Sequence, residues 1–292
     1  MIPDAEDAPA HTLMRGAGGW HYRDADGFRS LPAGTTLSTL LALPAARLRE
    51  DLAAAPEGAA PEAVLAPVDP HTEVWAAGVT YETSRAGRAE ESAHADLYLD
   101  VYDADRPELF FKAVGWRVRG PGETVGIRAD STWDVPEPEL ALVCNAVGEV
   151  VGHTACNDVS SRSIEGANPL YLPQAKVYRH SCALGPWIRM AWAVADPYAL
   201  GIEAEIRRAG RTTWSGATST ASIHRRFPDL TGALFAGDHY PHGVVLATGT
   251  SAVPESDVTL AEGDVVTVRV EEVGALTNPV VRVGPGTPEE SR

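Results

Sequence analysis

Two glutamates stand two positions apart in the segment STWDVPEPELALV, which covers residues 131–143. In an extended chain successive side chains alternate between faces, so Glu137 and Glu139 point one way while Pro138 and Leu140 point the other. Neighbouring carboxylates repel each other, and the usual remedies are lysine or arginine partners, bulk water or a metal ion. The spacing therefore predicts either a solvated strand face or a cation site.

The following segment, LVCNAVGEVVGHTACNDVSSR, reads as strand, turn, strand, with the turn near Val147 and Gly148. With the turn centred there, the residue numbers of facing pairs sum to about 295, which places Asp158 opposite Glu137 at a Cβ distance of roughly 5 Å. Glu137, Glu139 and Asp158 would then converge. Such oxygen ligands suit Mg²⁺, Mn²⁺ or Ca²⁺ better than Zn²⁺, which prefers His and Cys.

The stretch beyond Asp158, NDVSSRSIEGANPLYLPQAKVYRHSCALGP, is too polar to be core. It supplies Arg162, Glu165, Gln174 and Lys176. Arg162 is placed either to contact the site or to pair with Glu165 three residues on. This neighbourhood favours a functional site over a plain solvated strand face.

The elements that must position these residues follow from turn and breaker signals. Residues 12–31 read as a hairpin with an Asp-Gly turn, and residues 35–55 as a short helix interrupted at Pro44. The Ala- and Pro-rich stretch 55–70 predicts a boundary between a small N-terminal α/β domain, residues 1–66, and a main domain, residues 67–292.

The main domain opens with a strand, EVWAAGVTY, and a polar helix over residues 82–102. Strand-like segments separated by Gly, Asn and Asp follow, with only one further helix near residues 222–236; the strands are ELFFKAV, ELALVCN, EVVGHTAC, IEAEIRR, VVLATG, VVTVRVEEV and NPVVRV. The predicted fold class is α+β with a strand-dominated main domain.

Charge, cysteine spacing and hydropathy indicate which partners and which compartment to expect. The formal net charge of −16 opposes binding to nucleic acid and to anionic membranes. The three cysteines have no CxxC spacing and predict reduced thiols that pack as small core residues. No stretch reaches about 18 uninterrupted apolar residues and no signal peptide is evident, so we expect a cytoplasmic protein.

Several of these segments resemble a known family. DVPEPELALV, then NDVSSR, then the lysine of LPQAK before ALGPWI are similar to the metal-binding series of the fumarylacetoacetate hydrolase family. Within it, EVWAAGVTYETSR, VYDADRPELFFKA, PEPELALV, IEGANPLYLPQAKVY and ATGTSAVP resemble members that dehydrate 2-keto-3-deoxy-D-arabinonate. The resemblance runs from about residue 73 to about residue 283.

The resemblance implies a mixed β-roll or β-sandwich main domain that holds one divalent cation on Glu137, Glu139 and Asp158. That cation would be Mg²⁺, with Mn²⁺ or Ca²⁺ as alternatives, and no organic cofactor would be needed. The partner would be a small-molecule 2-keto acid, and the assembly a homodimer or homotetramer.

The resemblance also assigns roles to individual residues. Lys176 would be the catalytic lysine. The residues around the substrate would be Arg162, Gln174, Tyr81, Arg85 and Thr250. Tyr81 and Arg85 equally suit packing at a helix start, and Thr250 equally suits a turn.

One departure from the family pattern bears on the reaction. Family hydrolases carry a His-Glu pair after a tyrosine, and Ser84 stands here where the histidine would be. The implied activity is therefore dehydration of a 2-keto-3-deoxy sugar acid, with 2-keto-3-deoxy-D-arabinonate giving 2,5-dioxopentanoate and water in sugar-acid catabolism. The alternatives are an acylpyruvate hydrolase of the fumarylpyruvate type, an oxaloacetate decarboxylase and a catalytically silent binder.

Overall fold

The computed structural model of the chain describes residues 3–81 and 100–286. Within these two ranges the strands are β1 Thr12–Gly16, β2 Gly19–Arg23, β3 Phe28–Ser30, β4 Glu73–Gly78, β5 Glu108–Val114, β6 Val125–Arg128, β7 Asp134–Val135, β8 Pro138–Cys144, β9 Val150–Asp158, β10 Ser160–Ser161, β11 Cys182–Met190, β12 Gly201–Arg208, β13 Arg211–Ser219, β14 Val244–Ala247, β15 Val265–Val270 and β16 Gly274–Val283. The α-helices there are α1 Leu37–Leu41, α2 Ala45–Ala53, α3 Arg162–Ala167, α4 Leu172–Lys176 and α5 Phe227–Gly237.

The strands form one large mixed sheet, a smaller mixed sheet and a short pair. The large sheet has nine strands in the order β3-β2-β1-β11-β9-β8-β14-β4-β5, and the smaller has five in the order β13-β12-β15-β16-β6. The central hairpin of the large sheet, β8–β9, pairs Glu139 with Cys156 and Pro138 with Asn157. This is the register that the sequence predicts from a turn centred near Val147 and Gly148.

Both faces of the large sheet are covered, which explains why every residue of β8 is buried. Leu140 and Leu142 face a core shared with the five-stranded sheet and α5. Ala141 and Val143 face a second core, to which α1 and α2 contribute. Because side chains alternate along a strand, Glu139 shares its face with Ala141 and Val143. The paired carboxylates therefore lie on a buried face.

The large sheet also curls. β5 is its edge strand and lies four positions from β9, which in a flat sheet would separate them by about 19 Å, at about 4.8 Å per strand. Nevertheless Lys112 of β5 forms an ion pair with Asp158 of β9 and donates to the carbonyl of Val159 at 3.0 Å. The edge strand therefore returns over the end of β9, and the predicted β-roll architecture is confirmed.

The N-terminal strands extend this same sheet. β1 pairs with β11, with Thr12 opposite Arg189 and Leu13 opposite Ile188. α1 and α2 are separated at Pro44, as predicted. The division into residues 1–66 and 67–292 remains a prediction, and residues on the two sides of it share one sheet and one core.

Several local predictions differ from the structure. α3 and α4 are not predicted, because helices of six and five residues are too short to show a helical period. β11 is also missed, since Gly185 and Pro186 interrupt its pattern and its pairing with β9 shifts register after Gly185. The polar helix predicted for residues 82–102 lies mostly outside the described residues. None of the helices in the described ranges has the length and apolar character needed to span a bilayer.

Candidate metal centre and active site

The three predicted carboxylates come together at the ends of β8 and β9. Glu137 immediately precedes β8, Glu139 lies within it, and Asp158 is the last residue of β9. Each is at most 3% exposed, and one ligand oxygen from each lies within 4.8 Å of the others. The Asp158 amide donates to the Glu137 carbonyl at 3.0 Å, so the strand pairing itself brings the side chains together.

Glu139 is held in an environment that opposes its charge. Burial raises its pKa well above the usual range, and the negative charges of Asp158 and Glu137 raise it further. The Gly249 amide counteracts this by donating to Glu139 Oε2 at 2.7 Å. Gly249 has φ 87° and a Cβ there would lie 2.1 Å from Thr80 Oγ1, so this approach requires glycine. The crowded, buried oxygens fit a hard divalent cation, which would relieve their repulsion.

Lys176 ends α4 and places its ammonium among the carboxylates. It is 1% exposed, and its Nζ donates to Glu137 Oε2 at 2.6 Å, to Ser160 Oγ at 2.6 Å and to Asp158 Oδ2 at 3.2 Å. The Nζ also lies 5.5 Å from the centroid of the Phe110 ring. A buried lysine thus stands directly beside any cation that these carboxylates hold.

Arg162, the first residue of α3, contacts both Glu137 and Glu165, and its role around the substrate remains a prediction. Its Nη2 lies 2.8 Å from Glu137 Oε1, and its Nε lies 3.7 Å from Glu165 Oε2. Arg162 is 6% exposed and Glu165 is 2% exposed. Arg162 therefore forms an ion pair with one oxygen of the Glu137 carboxylate, and Lys176 contacts the other oxygen.

Tyr81 and Thr250 lie close to Glu139. Tyr81 is fully buried, and burial together with the Glu139 charge raises the pKa of its hydroxyl. Thr250 follows the glycine that binds Glu139, is 7% exposed, and its Oγ1 accepts from the Ala252 amide at 3.2 Å. The substrate-contact roles of Tyr81 and Thr250 remain predictions.

Comparison with known proteins places this arrangement in a family. The family model described as the fumarylacetoacetate (FAA) hydrolase C-terminal domain matches residues 74–281, a range that contains all of the residues above. The chain belongs to the fumarylacetoacetate hydrolase family.

Within this family, the chain is similar to proteins named as dehydratases. It is 47% identical over 239 residues to a probable 2-keto-3-deoxyxylonate dehydratase of Haloferax volcanii, covering 82% of each chain. It is 41% identical over 221 residues to the 2-dehydro-3-deoxy-D-arabinonate dehydratase of Saccharolobus solfataricus, covering 74% of each. A solved 2-keto-3-deoxy-D-arabinonate dehydratase complexed with magnesium and 2,5-dioxopentanoate matches with a TM-score of 0.81 at 31% identity, covering 93% of this chain and 98% of that one.

Two of the predicted substrate contacts are not seen at the carboxylates. Gln174 points away from them, and Arg85 lies outside the described residues. Gln174 is exposed on α4, and its carbonyl accepts from Arg128 at 3.2 Å. Being two residues before Lys176, its side chain points to the opposite side of the helix. Arg85, and with it Ser84, lies outside the described residues. The substrate-contact roles of Gln174 and Arg85 remain predictions.

The sequence analysis does not identify Gly249, Ser160 or Lys112 as residues of the site. Ser160 accepts a hydrogen bond from Lys176, and Lys112 forms an ion pair with Asp158. Ser160 carries no distinguishing pattern. Lys112 does, because the sequence contains only two lysines, Lys112 and Lys176, against 22 arginines.

Proposed function

We propose that the chain is a divalent-metal-dependent hydro-lyase that removes water from a 2-keto-3-deoxy sugar acid. With 2-keto-3-deoxy-D-arabinonate the product would be 2,5-dioxopentanoate. The observation that carries the proposal is the contact of one buried lysine, Lys176, with two members of a converging carboxylate set. The names of the two relatives at 47% and 41% identity support the substrate class.

Glu137, Glu139 and Asp158 would hold the cation, and Mg²⁺ is the proposed ion because a related dehydratase was solved with magnesium. Mn²⁺ and Ca²⁺ have the same preference for oxygen ligands. When bound, the cation supplies Lewis acidity toward the 2-keto group, which makes the C3 protons acidic.

Lys176 is the proposed carrier of the C3 proton. Its Nζ is held by Glu137, Asp158 and Ser160, so its position is set before the substrate arrives. Loss of a proton from C3 and of the hydroxyl from C4 forms the C3–C4 double bond and releases one water. Migration of the double bond then moves a proton from C5 to C3, and the resulting C4–C5 enol loses its hydroxyl proton and gains a proton at C4, which leaves carbonyl groups at C2 and C5.

Arg162 is proposed to hold Glu137 in place and to contribute positive charge toward the substrate carboxylate. Tyr81, Thr250, Gln174 and Arg85 are proposed to line the remainder of the substrate site. Tyr81 and Thr250 have the stronger support, because the Glu139 charge acts on Tyr81 and Thr250 follows the glycine that binds Glu139. We further infer a homodimer or homotetramer in the cytoplasm, which light scattering and cell fractionation would test.

A substrate panel tests the proposed reaction. Metal-stripped protein is assayed with Mg²⁺ and with chelator on 2-keto-3-deoxy pentonates, on an acylpyruvate and on oxaloacetate, with products identified by mass spectrometry. We expect Mg²⁺-dependent formation of 2,5-dioxopentanoate. Faster release of pyruvate or of a carboxylic acid from the acylpyruvate, or equal rates with and without chelator, would contradict the proposal.

A further inference from the structure

Lys112 is a buried charged residue that the proposed reaction does not use. It lies on the edge strand β5, with its side chain 0% exposed. Its Nζ forms an ion pair with Asp158 Oδ1 and donates to the carbonyls of Val159 at 3.0 Å and of Lys176 at 2.6 Å. Two of its three N–H donors are taken by these backbone carbonyls, and the charge lies against the Asp158 carboxylate.

These contacts indicate that Lys112 has a different role from Lys176. The Lys112 ammonium is fully buried and is held by two backbone carbonyls and by the ion pair with Asp158. The two ammonium groups contact different oxygens of Asp158: Lys112 contacts Oδ1 and Lys176 contacts Oδ2. Lys112 thereby fixes the orientation of the Asp158 carboxylate and, through the Lys176 carbonyl, the end of α4 that carries the proposed proton carrier.

The composition of the chain supports a requirement for lysine at this position. Arginine outnumbers lysine by 22 to 2, and both lysines are in this site. A guanidinium is a planar fork of five donors, whereas an ammonium is a compact point charge. Two carbonyl oxygens and one carboxylate oxygen around a single nitrogen suit the compact ammonium better than the fork of a guanidinium.

We propose that Lys112 is a positioning residue that sets the cation affinity of the carboxylate site by holding Asp158, and the placement of Lys176 by holding its carbonyl. The inference rests on the proposed function in assuming that Glu137, Glu139 and Asp158 bind a divalent cation. Removal of a group that orients a metal ligand typically weakens metal affinity by 10- to 100-fold.

The first test measures cation affinity without turnover. Free Mn²⁺ is quantified by electron paramagnetic resonance during titration of metal-stripped wild type, Lys112→Met and Lys112→Arg. We expect the Kd of Lys112→Met to rise 10- to 100-fold and Lys112→Arg not to restore it. Arg47→Met removes one positive charge from an exposed pair with Asp51 and should leave the Kd unchanged. A folded Lys112→Met protein that binds Mn²⁺ with the wild-type Kd would overturn the proposal.

Kinetics at saturating metal separate positioning from a purely structural role. Because Lys112 also holds the Lys176 carbonyl, kcat of Lys112→Met should fall at least 10-fold at a Mg²⁺ concentration that fills the site. KM for the keto acid should change much less. A loss that excess Mg²⁺ fully reverses would show that Lys112 does not position Lys176.

A measurement on the wild-type protein does not depend on the folding of any variant. Labelling with lysine carrying ¹³C at Cε gives two side-chain resonances, because the sequence has two lysines. Both should shift on addition of Mg²⁺, since both ammonium groups contact Asp158. A shift of only one resonance would overturn the inference about Lys112 without contradicting the metal site. Wild-type protein that binds neither Mn²⁺ nor Mg²⁺ would contradict the proposed function.

Discussion

Substitution of Glu139 by Gln should change stability in opposite directions with and without metal. The side chain is 1% exposed, and the amide oxygen of Gln can still accept from Gly249, as Glu139 does at 2.7 Å. Folding raises the pKa of Glu139, so at pH 8, above the pKa of the unfolded chain, this carboxyl lowers the unfolding free energy of metal-free wild type. Metal-free Glu139→Gln should therefore melt at a higher temperature than metal-free wild type.

Saturation with Mg²⁺ should reverse that order. A ligand at 100 times its Kd stabilises the folded state by about 2.7 kcal/mol, which for a chain of 292 residues raises Tm by roughly 4–5 °C. Glu139→Gln lacks one charged oxygen ligand and should gain less than half of that. The assay is thermal unfolding by circular dichroism after chelator treatment, over a Mg²⁺ series, with the exposed Glu203→Gln as the matched control.

Two results would refute the reasoning about Glu139. One is a metal-free Glu139→Gln protein less stable than metal-free wild type, which would mean that the charge repulsion is relieved within the protein. The other is an equal Mg²⁺ stabilisation of variant and wild type, which would remove Glu139 from the ligand set. Activity is expected to be lost in the variant while the fold is retained.

Two further predictions concern Lys176 and His153. Lys176→Ala should lower kcat by roughly 10² or more and abolish exchange of the C3 protons with deuterium while cation binding persists; exchange at the wild-type rate, followed by NMR, would make Lys176 a positioning residue. Burial lowers the pKa of His153 to about 4 from 6.5. On acidification the unfolded chain therefore takes up a proton at His153 before the folded protein does, and the unfolding free energy should fall by about 2 kcal/mol between pH 8 and pH 5. Urea unfolding of wild type and His153→Gln checks this, and an identical pH dependence in both would rule it out.

The convergence of the carboxylates is predictable because it is a local property of one hairpin. A turn near Val147 and Gly148 and a strand periodicity of two are enough to place Asp158 beside Glu137. The structure has this register up to the point where it shifts, between Val143 and Cys144. That shift lies on the turn side, so it does not move the ligands.

The groups that complete the site come from distant parts of the chain and are not predictable in the same way. The Gly249 amide reaches Glu139 across 110 residues, and Lys112 reaches Asp158 only because the sheet curls. The curl is a tertiary property of nine strands, and no pattern in a single segment reports it. Lys112 could have been recognised from composition, because it is one of only two lysines in the sequence.

The pairing of β1 with β11 constrains how the chain can fold. The partner of Thr12 is Arg189, 177 residues further along, and β4 likewise pairs with β14, which is synthesised much later. At a synthesis rate of about 5–20 residues per second, β1 would leave the ribosome roughly 10–35 s before its partner exists. Such non-local pairing slows folding and keeps apolar strand edges exposed on the nascent chain. The N-terminal 66 residues should therefore be a binding target for chaperones during translation, and recombinant yield should depend on chaperone supply.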